Sequence, residues 1–158
     1  MADEVTTIRK YTEKDIPVII DMVSRYVPRL PNYQGVVVDP ARIKFLLEHN
    51  VTNEGQFTVR VLVSGAGQVV GGIGAYCVPL TFSWDMVTCD IFILVDEAWR
   101  TLERTRQLYK AYIEWAVARG AKIIQASHAG GHRDEAMARL LDGIGFKQVG
   151  SLYQLQRM

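Results

Sequence analysis

Residues 88–119 read TCDIFILVDEAWRTLERTRQLYKAYIEWAVAR, and this stretch decides the fold of the chain. Its first part, Thr88–Val95, is mostly apolar and rich in β-branched and aromatic residues, which predicts a buried strand. After a break at 96–99, Arg100–Arg119 carries a polar stripe and an apolar face at three-to-four spacing, which predicts a long helix. Gly120 follows, where a left-handed residue commonly ends a helix.

Three arginines lie where this strand leads into this helix: Arg100, Arg104 and Arg106. The first amides of a helix have no partner within it and attract anions, and guanidinium groups form strong paired hydrogen bonds with phosphate. Positive charges in the first turn also oppose the helix dipole. This mild cost to helix stability suggests that the arginines are kept there for another reason. The junction is therefore a candidate site for an anion such as a pyrophosphate.

The same junction resembles the strand-to-helix core of the GNAT superfamily, the acyl-CoA-dependent N-acetyltransferases. Val95 at the strand end and the pair Trp99-Arg100 match the family pattern, which continues as Arg/Gln-x-x-Gly-x-Gly/Ala into the helix. Two positions depart from it, because Glu103 and Thr105 stand where the family has small residues. The final Leu-x-x-x-Gly-Phe of the family is matched loosely by residues 141–146.

The resemblance implies an N-acyltransferase that moves an acetyl group from acetyl-CoA to an amine of a small molecule or protein. The departures at Glu103 and Thr105 keep an alternative open: a catalytically inactive GNAT-like domain that binds a protein or a metabolite. Either function is compatible with a homodimer.

The rest of the chain extends the resemblance to a single domain covering residues 1–158. Strands are predicted at Thr6–Tyr11, Phe57–Val63, Val69–Val78, Thr88–Val95, Lys122–Ser127 and Val149–Gln156. Helices are predicted after a Thr12 cap, after an Asp39-Pro40 cap, at Arg100–Arg119 and at Asp134–Ile144. This order, β-α-α-β-β-β-α-β-α-β, predicts an α/β fold with a mixed sheet covered by helices on both faces.

Glycines crowd the start of the third predicted strand, at Gly71, Gly72 and Gly74. They precede no helix and so do not form a phosphate loop. A β-bulge or a close approach of two backbones is the expected reason for them.

Composition and charge exclude several classes of protein. A net charge of +1 gives no general affinity for nucleic acid or anionic membranes, and no apolar run approaches the length of a membrane span. The polar N-terminus is not a signal peptide, so the expected compartment is the cytoplasm.

Cys77 and Cys89 flank a predicted hairpin turn and could face each other, although free thiols are favoured there. No Cys/His cluster has metal-ligand spacing, so no metal is expected.

The resemblance also implies a donor site. The pantetheine arm would lie along the backbone of Ile93, Leu94 and Val95. The pyrophosphate would lie at the helix start, which holds Arg100, Leu102, Glu103, Arg104, Thr105 and Arg106. Asp134 takes the place of the family's Asn at the start of the next helix.

Acyl transfer to an amine needs a base for the amine and an acid for the leaving thiolate. Asp90 and His128 are the main candidates for the base, although a charge inside an apolar run can also pair with an arginine or sit at an exposed strand end. His128 can equally make local hydrogen bonds in its loop. The family's usual acid, a tyrosine, aligns with Leu141, which leaves Tyr153, Tyr109 or water as alternatives.

Three aromatic residues could line the pocket for the acceptor amine: Tyr33, Tyr76 and Trp84. Aromatic residues on strands are more often part of a core, so this assignment competes with a packing role.

Overall fold

The computed structural model describes residues 4–53, 55–127, 134–150 and 155. Its strands are β1 Thr6–Lys10, β2 Phe57–Ser64, β3 Val69–Pro79, β4 Met86–Val95 and β5 Ala121–Gln125. Its longer helices are α1 Ile16–Tyr26, α2 Pro40–Asn50, α3 Leu102–Ala118 and α4 Asp134–Ile144. The order agrees with the predicted one as far as α4. The predicted last strand, Val149–Gln156, falls largely outside the described residues.

The five strands form one sheet in the order β1-β2-β3-β4-β5. Neighbours from β1 to β4 are antiparallel, with short turns joining β2 to β3 and β3 to β4, whereas β4 and β5 are parallel. Helix α3 makes the crossover that a parallel pair requires. The predicted mixed sheet is confirmed.

Helices cover both faces of this sheet, and β2 shows why. Its residues Val59, Val61 and Val63 pack in one core with α1 and α2, whereas Leu62 belongs to a second core with α3 and α4. Because successive side chains of a strand point to opposite faces, a strand covered on both sides must be apolar almost throughout. No described helix is both long enough and apolar enough to cross a membrane.

Two of the predicted close approaches involve Gly71 and Gly72 of β3. A Cβ on Gly71 would lie 2.9 Å from the carbonyl oxygen of Leu94, and one on Gly72 would lie 2.9 Å from that of Arg60. Neither backbone oxygen can move without disturbing the sheet. Glycine is therefore required on β3 because β2 and β4 pass too close for a side chain.

The β3–β4 pairing also contains the predicted bulge. Gly74 pairs with Phe92, whereas the next residue, Ala75, pairs with Asp90, so Ile91 is an extra residue on β4. The ring of Phe92 lies over Gly74, 2.5 Å from where a Cβ would be. A bulge turns the following side chains relative to the preceding ones, and this one does so in the middle of β4.

The two cysteines do not face each other, so that expectation was wrong. Cys77 pairs with Thr88 across β3 and β4, whereas Cys89 pairs with Tyr76. Neighbouring residues of a strand point to opposite faces, and the thiols therefore lie on opposite sides of the sheet. Both cysteines are free.

Replacing Gly72 with alanine tests the close approach directly. We expect Gly72→Ala to lower the free energy of unfolding by about 1–3 kcal/mol, because the new methyl group must displace backbone. Gly143→Ala in α4 is the matched control, since nothing lies within 4 Å of the position that its methyl group would take. There alanine should stabilise the helix by about 0.5–1 kcal/mol. Urea unfolding of both variants measures this, and equal effects would contradict it.

Candidate functional site

The edge of β4 that faces β5 is only partly paired. Pairing runs from Met86 opposite Ala121 to Cys89 opposite Gln125 and stops there. Strand β4 itself continues to Val95. From Asp90 onward, this edge of β4 therefore has no strand partner among the described residues. Its backbone N–H and C=O groups can pair with a ligand as they would with another strand.

Asp90 lies at the point where the two strands part. Its Oδ1 accepts hydrogen bonds from the backbone amide of Ser127 at 2.7 Å and from the Ser127 hydroxyl at 3.0 Å. Its Oδ2 accepts one from the hydroxyl of Tyr109 on α3 at 3.1 Å. The residue is only 5% exposed. Asp90 thus ties the segment after β5 to both β4 and α3.

Burial raises the pKa of Asp90, because the charged form loses water, and the hydrogen bonds from Ser127 and Tyr109 oppose the rise. Burial and the neighbouring carboxylate also raise the pKa of Tyr109. Both ordinary explanations offered for Asp90 were wrong: it is buried, and its partners are Ser127 and Tyr109 rather than an arginine. Its catalytic role stays a prediction.

A second tyrosine of α3, about one helical turn after Tyr109, joins β4 to β5. The hydroxyl of Tyr112 donates to the carbonyl of Gln125 on β5 at 2.8 Å and lies 3.1 Å from the Thr88 hydroxyl on β4. Both tyrosines are fully buried, and the hydroxyl of Tyr109, one of the alternatives for the acid, is already engaged with Asp90. A buried tyrosine hydroxyl needs a partner, which here lies on the strands and which the sequence did not indicate.

Helix α3 begins at Leu102, two residues later than predicted. Thr101 is extended, and its hydroxyl oxygen accepts from the amide of Arg104 at 3.2 Å, which makes it the N-cap. The amides of Leu102 and Glu103 therefore open the helix, where no intrahelical acceptor exists for them. They lie shortly after the unpaired end of β4.

The three arginines of this junction have three different environments. Arg100 is exposed and directs Nε and Nη2 at the carbonyl of Val95, at 3.3 and 3.1 Å. Arg106 is half-exposed, 3.8 Å from the carboxylate of Glu103. Glu103 is exposed, with 62% of its side chain accessible to solvent.

Arg104 is buried, with only 5% of its surface exposed. It donates to the carbonyls of Trp99 and Glu4, both at 2.9 Å, and its guanidinium lies 5.0 Å from the centre of the Trp99 ring. A phosphate contact by Arg104 would have to replace these hydrogen bonds, so its predicted cofactor role stays a prediction.

The remaining predicted donor-site residues are placed as follows. Leu94 and Val95 have buried side chains in opposite cores, and Ile93 is half-buried, so β4 offers a ligand mainly its backbone. Leu102 is exposed, whereas Thr105 is buried and donates its hydroxyl to the Thr101 carbonyl. Asp134 begins α4. His128 and Tyr153 lie outside the described residues.

The end of β4 is also held by α1, which the sequence did not indicate. The hydroxyl of Tyr26 donates to Asp96 Oδ1 at 2.9 Å, and Arg25 lies 3.8 Å from the same oxygen. The amide of Asp96 donates to the carbonyl of Val70 at 2.9 Å. These contacts fix the turn that separates β4 from the start of α3.

The aromatic residues predicted to line the acceptor pocket do not form a cluster of stacked rings among the described residues. Tyr76 is 39% exposed beside Cys89, and burial raises the pKa of its hydroxyl. Trp84 is 93% exposed on the β3–β4 turn. Within the part of the chain that the structure describes, no ring contact joins Trp84 to Tyr33 or Tyr76. Nor do those residues contain a group of three or more His, Cys, Asp or Glu that could hold a metal ion.

Comparison with known proteins connects the chain to others through structure alone. No family model and no curated protein matches its sequence. It is similar to an aminoglycoside acetyltransferase from an uncultured soil metagenomic sample, with 18% identity and a TM-score of 0.73 over 98% of this chain and 99% of that one. It is also similar to AAC(6')-Iy in complex with the bisubstrate analogue CoA-S-monomethyl-acetylneamine, with 12% identity and a TM-score of 0.71 over 98% of this chain and 99% of that one.

A third similar structure is a transcriptional regulator from Bacillus halodurans C-125, with 20% identity and a TM-score of 0.72 over 97% of this chain and 100% of that one. At these identities the likeness concerns the fold and leaves the activity open. The mixed sheet, the helices on both faces and these neighbours agree. The chain has the fold of the GNAT superfamily of acetyltransferases.

Proposed function

We propose that this chain is an N-acyltransferase that uses acetyl-CoA, or a related thioester, and transfers the acyl group to an amine. The observation that carries the proposal is the parting of β4 from β5 after Cys89, next to the free N-terminus of α3. Together they offer an extended ligand one unpaired strand edge and one anion-binding helix end. Acetyl-CoA has both features, and when bound it supplies a thioester carbonyl open to attack by an amine.

The pantetheine arm would pair with the β4 edge at Ile93, Leu94 and Val95. Those residues present backbone there because their side chains are largely packed in the two cores. The bulge at Ile91 lies just before this stretch. The paired part of the strands, ending at Cys89, would limit how far the arm can reach.

The pyrophosphate would lie against the amides of Leu102 and Glu103. Arg100 can support it, because a guanidinium has five N–H donors and the Val95 carbonyl engages those of only two nitrogens. Arg106 is exposed and can turn from Glu103 towards a phosphate. Arg104 and Thr105 would act by holding the loop, since both are buried and bonded to its carbonyls.

Asp90 is the candidate for the base among the described residues. Its raised pKa suits a base better than an ordinary carboxylate would, but both oxygens are occupied and the residue is buried. We therefore propose that Asp90 acts first as a positioning residue, holding Ser127 and Tyr109 at the start of the gap. His128, Tyr153 and water remain open for the proton transfers themselves.

Two features of the helix start favour the alternative, a GNAT-fold domain that binds a protein or metabolite without turnover. The amide of Arg104, the third of the helix, is already capped by Thr101, and Glu103 adds a carboxylate beside the two amides that remain. Both features weaken the attraction of this helix end for phosphate.

Calorimetric titration with acetyl-CoA and with CoA tests the donor site. We expect dissociation constants in the micromolar range, about tenfold weaker binding for Arg100→Ala, and equal or tighter binding for Glu103→Gln, because a carboxylate near phosphate is removed. Arg139→Ala on α4 is the matched control, since Arg139 is 75% exposed in an ion pair with the exposed Glu135, and its loss should leave binding unchanged.

Binding of acetyl-CoA followed by release of free thiol with a panel of amines would establish transfer. Binding without thiol release from any amine would favour the non-catalytic alternative. Absence of binding at millimolar ligand would contradict both the donor site and the proposed reaction.

The pH dependence of stability tests the environment assigned to Asp90. Its folded-state pKa is raised above the ordinary value of 3.8. At a pH between the unfolded-state and folded-state pKa values, the folded chain keeps a proton that the unfolded chain has lost. The free energy of unfolding must therefore fall as the pH rises through this range. Asp90→Asn has no such proton and should retain the hydrogen bonds from Ser127.

Urea unfolding of both proteins measures the difference. We expect the wild type to lose stability relative to Asp90→Asn as the pH rises above about 4, because the folded-state pKa of Asp90 is raised. A difference that stays constant or grows with pH would show that the hydrogen bonds favour the charged carboxylate more than burial opposes it.

A further inference from the structure

Two titratable side chains lie together beside the proposed donor gap, and no chemical step has yet been assigned to them. Tyr76 of β3 lies directly opposite Cys89 of β4, so their side chains are neighbours on one face of the sheet. It is the face covered by α1 and α2, because Phe57, the partner of Tyr76 on β2, packs in the core of those helices. Tyr76 is 39% exposed and Cys89 is partly exposed. We call these two residues the thiol–phenol pair.

The thiol–phenol pair lies at the end of the gap where the thioester would be. Cys89 is the last residue of β4 that pairs with β5, opposite Gln125. A pyrophosphate at the start of α3 would direct the pantetheine arm along β4 from Val95 back towards Cys89. Successive strand residues are spaced about 3.3 Å apart, so Ile91 is within about 7 Å of Cys89. The sulfur of a bound thioester would therefore approach the thiol of Cys89.

Cys89 carries its proton at neutral pH. Burial raises the pKa of its thiol, a hydrogen bond from the hydroxyl of Tyr76 opposes the rise, and the charge of Asp90 adds to it. Burial also raises the pKa of Tyr76, and the charge of Cys89 is the next cause. Both members of the pair are therefore proton donors in the resting chain, and the phenol can stabilise a negative charge that forms on the sulfur.

Asp90 is less suited to serve the leaving thiolate. As the next residue of the strand it points to the opposite face, where Ser127 and Tyr109 occupy both of its oxygens. A thiol is also the better chemical match. The group that leaves acetyl-CoA is itself an alkyl thiolate, so its pKa is similar to that of a cysteine and a proton can move between the two sulfurs at little cost.

We propose that Cys89 is the proton shuttle of the acyl transfer and that Tyr76 is a positioning residue that stabilises its thiolate. This inference rests on the proposed function and deepens it. When the amine nitrogen bonds to the acyl carbon, the bond from that carbon to the CoA sulfur breaks, and Cys89 gives its proton to that sulfur. The thiolate left on Cys89 then takes the extra proton from the nitrogen. The proton of the amine thus ends on CoA, and Cys89 is restored without another acid or base.

Alkylation of the full chain by N-ethylmaleimide tests the position of Cys89 without requiring turnover. We expect Cys89 to react, and acetyl-CoA at about ten times its dissociation constant to slow the reaction about tenfold, because most of the chain is then occupied. Cys77 is the internal control, since it is 0% exposed and should react only when the chain unfolds. Unchanged alkylation of Cys89, while calorimetry shows acetyl-CoA bound, would overturn the shuttle and leave the donor site standing.

Two variants of Cys89 separate its acidity from its size. With an amine that the chain acetylates, Cys89→Ala should lower kcat about 100-fold and leave the dissociation constant of acetyl-CoA unchanged. Cys89→Ser keeps a small hydrogen-bonding group, but a hydroxyl is a far weaker acid than a thiol, so this variant should be equally slow. Cys77→Ala, on the other face of the sheet, is the matched control and should keep the wild-type kcat. A serine variant with most of the wild-type kcat would overturn the shuttle.

The pH profile of kcat tests the role of Tyr76. The rate should fall at high pH as Cys89 loses its proton. Tyr76→Phe removes the hydrogen bond that lowers the pKa of Cys89, so this fall should move to higher pH, with kcat about tenfold lower at neutral pH. Asp90, Tyr109 and Tyr112 also interact with the charge of Cys89, and they are unchanged in this variant. A profile identical to that of the wild type would overturn the role of Tyr76.

Failure of the proposed function would give a different set of results. Acetyl-CoA that does not bind, or that binds without transfer to any amine, would overturn the acyl transfer and the shuttle together. Transfer that proceeds at the wild-type rate in Cys89→Ala would overturn the shuttle alone.

Discussion

Strand β4 pairs with β3 along most of its length but with β5 only as far as Cys89, and the rest of the site follows from that difference. The parting point needs support, because unpaired backbone at a strand edge would otherwise invite rearrangement. Asp90 supplies it by joining the amide of Ser127 to the hydroxyl of Tyr109. A carboxylate buried this deeply is tolerated only with such partners. The same three hydrogen bonds that make its burial possible therefore fix the width of the gap.

Helix α3 serves both sides of this arrangement. Tyr109 and Tyr112, on its inner face, join β4 to β5 below the gap, and its N-terminus presents the amides of Leu102 and Glu103 beside it. The site consists largely of backbone groups, which any sequence with the same fold can provide. Backbone groups do not depend on the side chains of Glu103 and Thr105, which leave the helix start undisturbed.

Local pattern predicted most of the fold from the sequence. Periodicity located the helices and strands, the Asp39 cap opens α2 as expected, and the glycines of β3 marked a close approach and a bulge. The environment of the site residues could not be predicted in this way, because it depends on contacts between residues far apart in the sequence. Asp90 meets Ser127 37 positions away, and nothing in the sequence distinguishes the buried Arg104 from the exposed Arg100. The prediction that the two cysteines could face each other failed for a similar reason. A shift of one residue in the pairing of β3 with β4 moves a side chain to the opposite face of the sheet.

Hydrogen exchange of the chain with and without acetyl-CoA tests most directly whether the free edge of β4 receives the donor. Amides of residues 91–95 that face the gap, and those of Leu102 and Glu103, should exchange more slowly when acetyl-CoA is bound. Those of β2, which is paired on both sides, should not change. Protection confined to other parts of the chain, or none at saturating ligand, would contradict the assignment of this edge as the donor site.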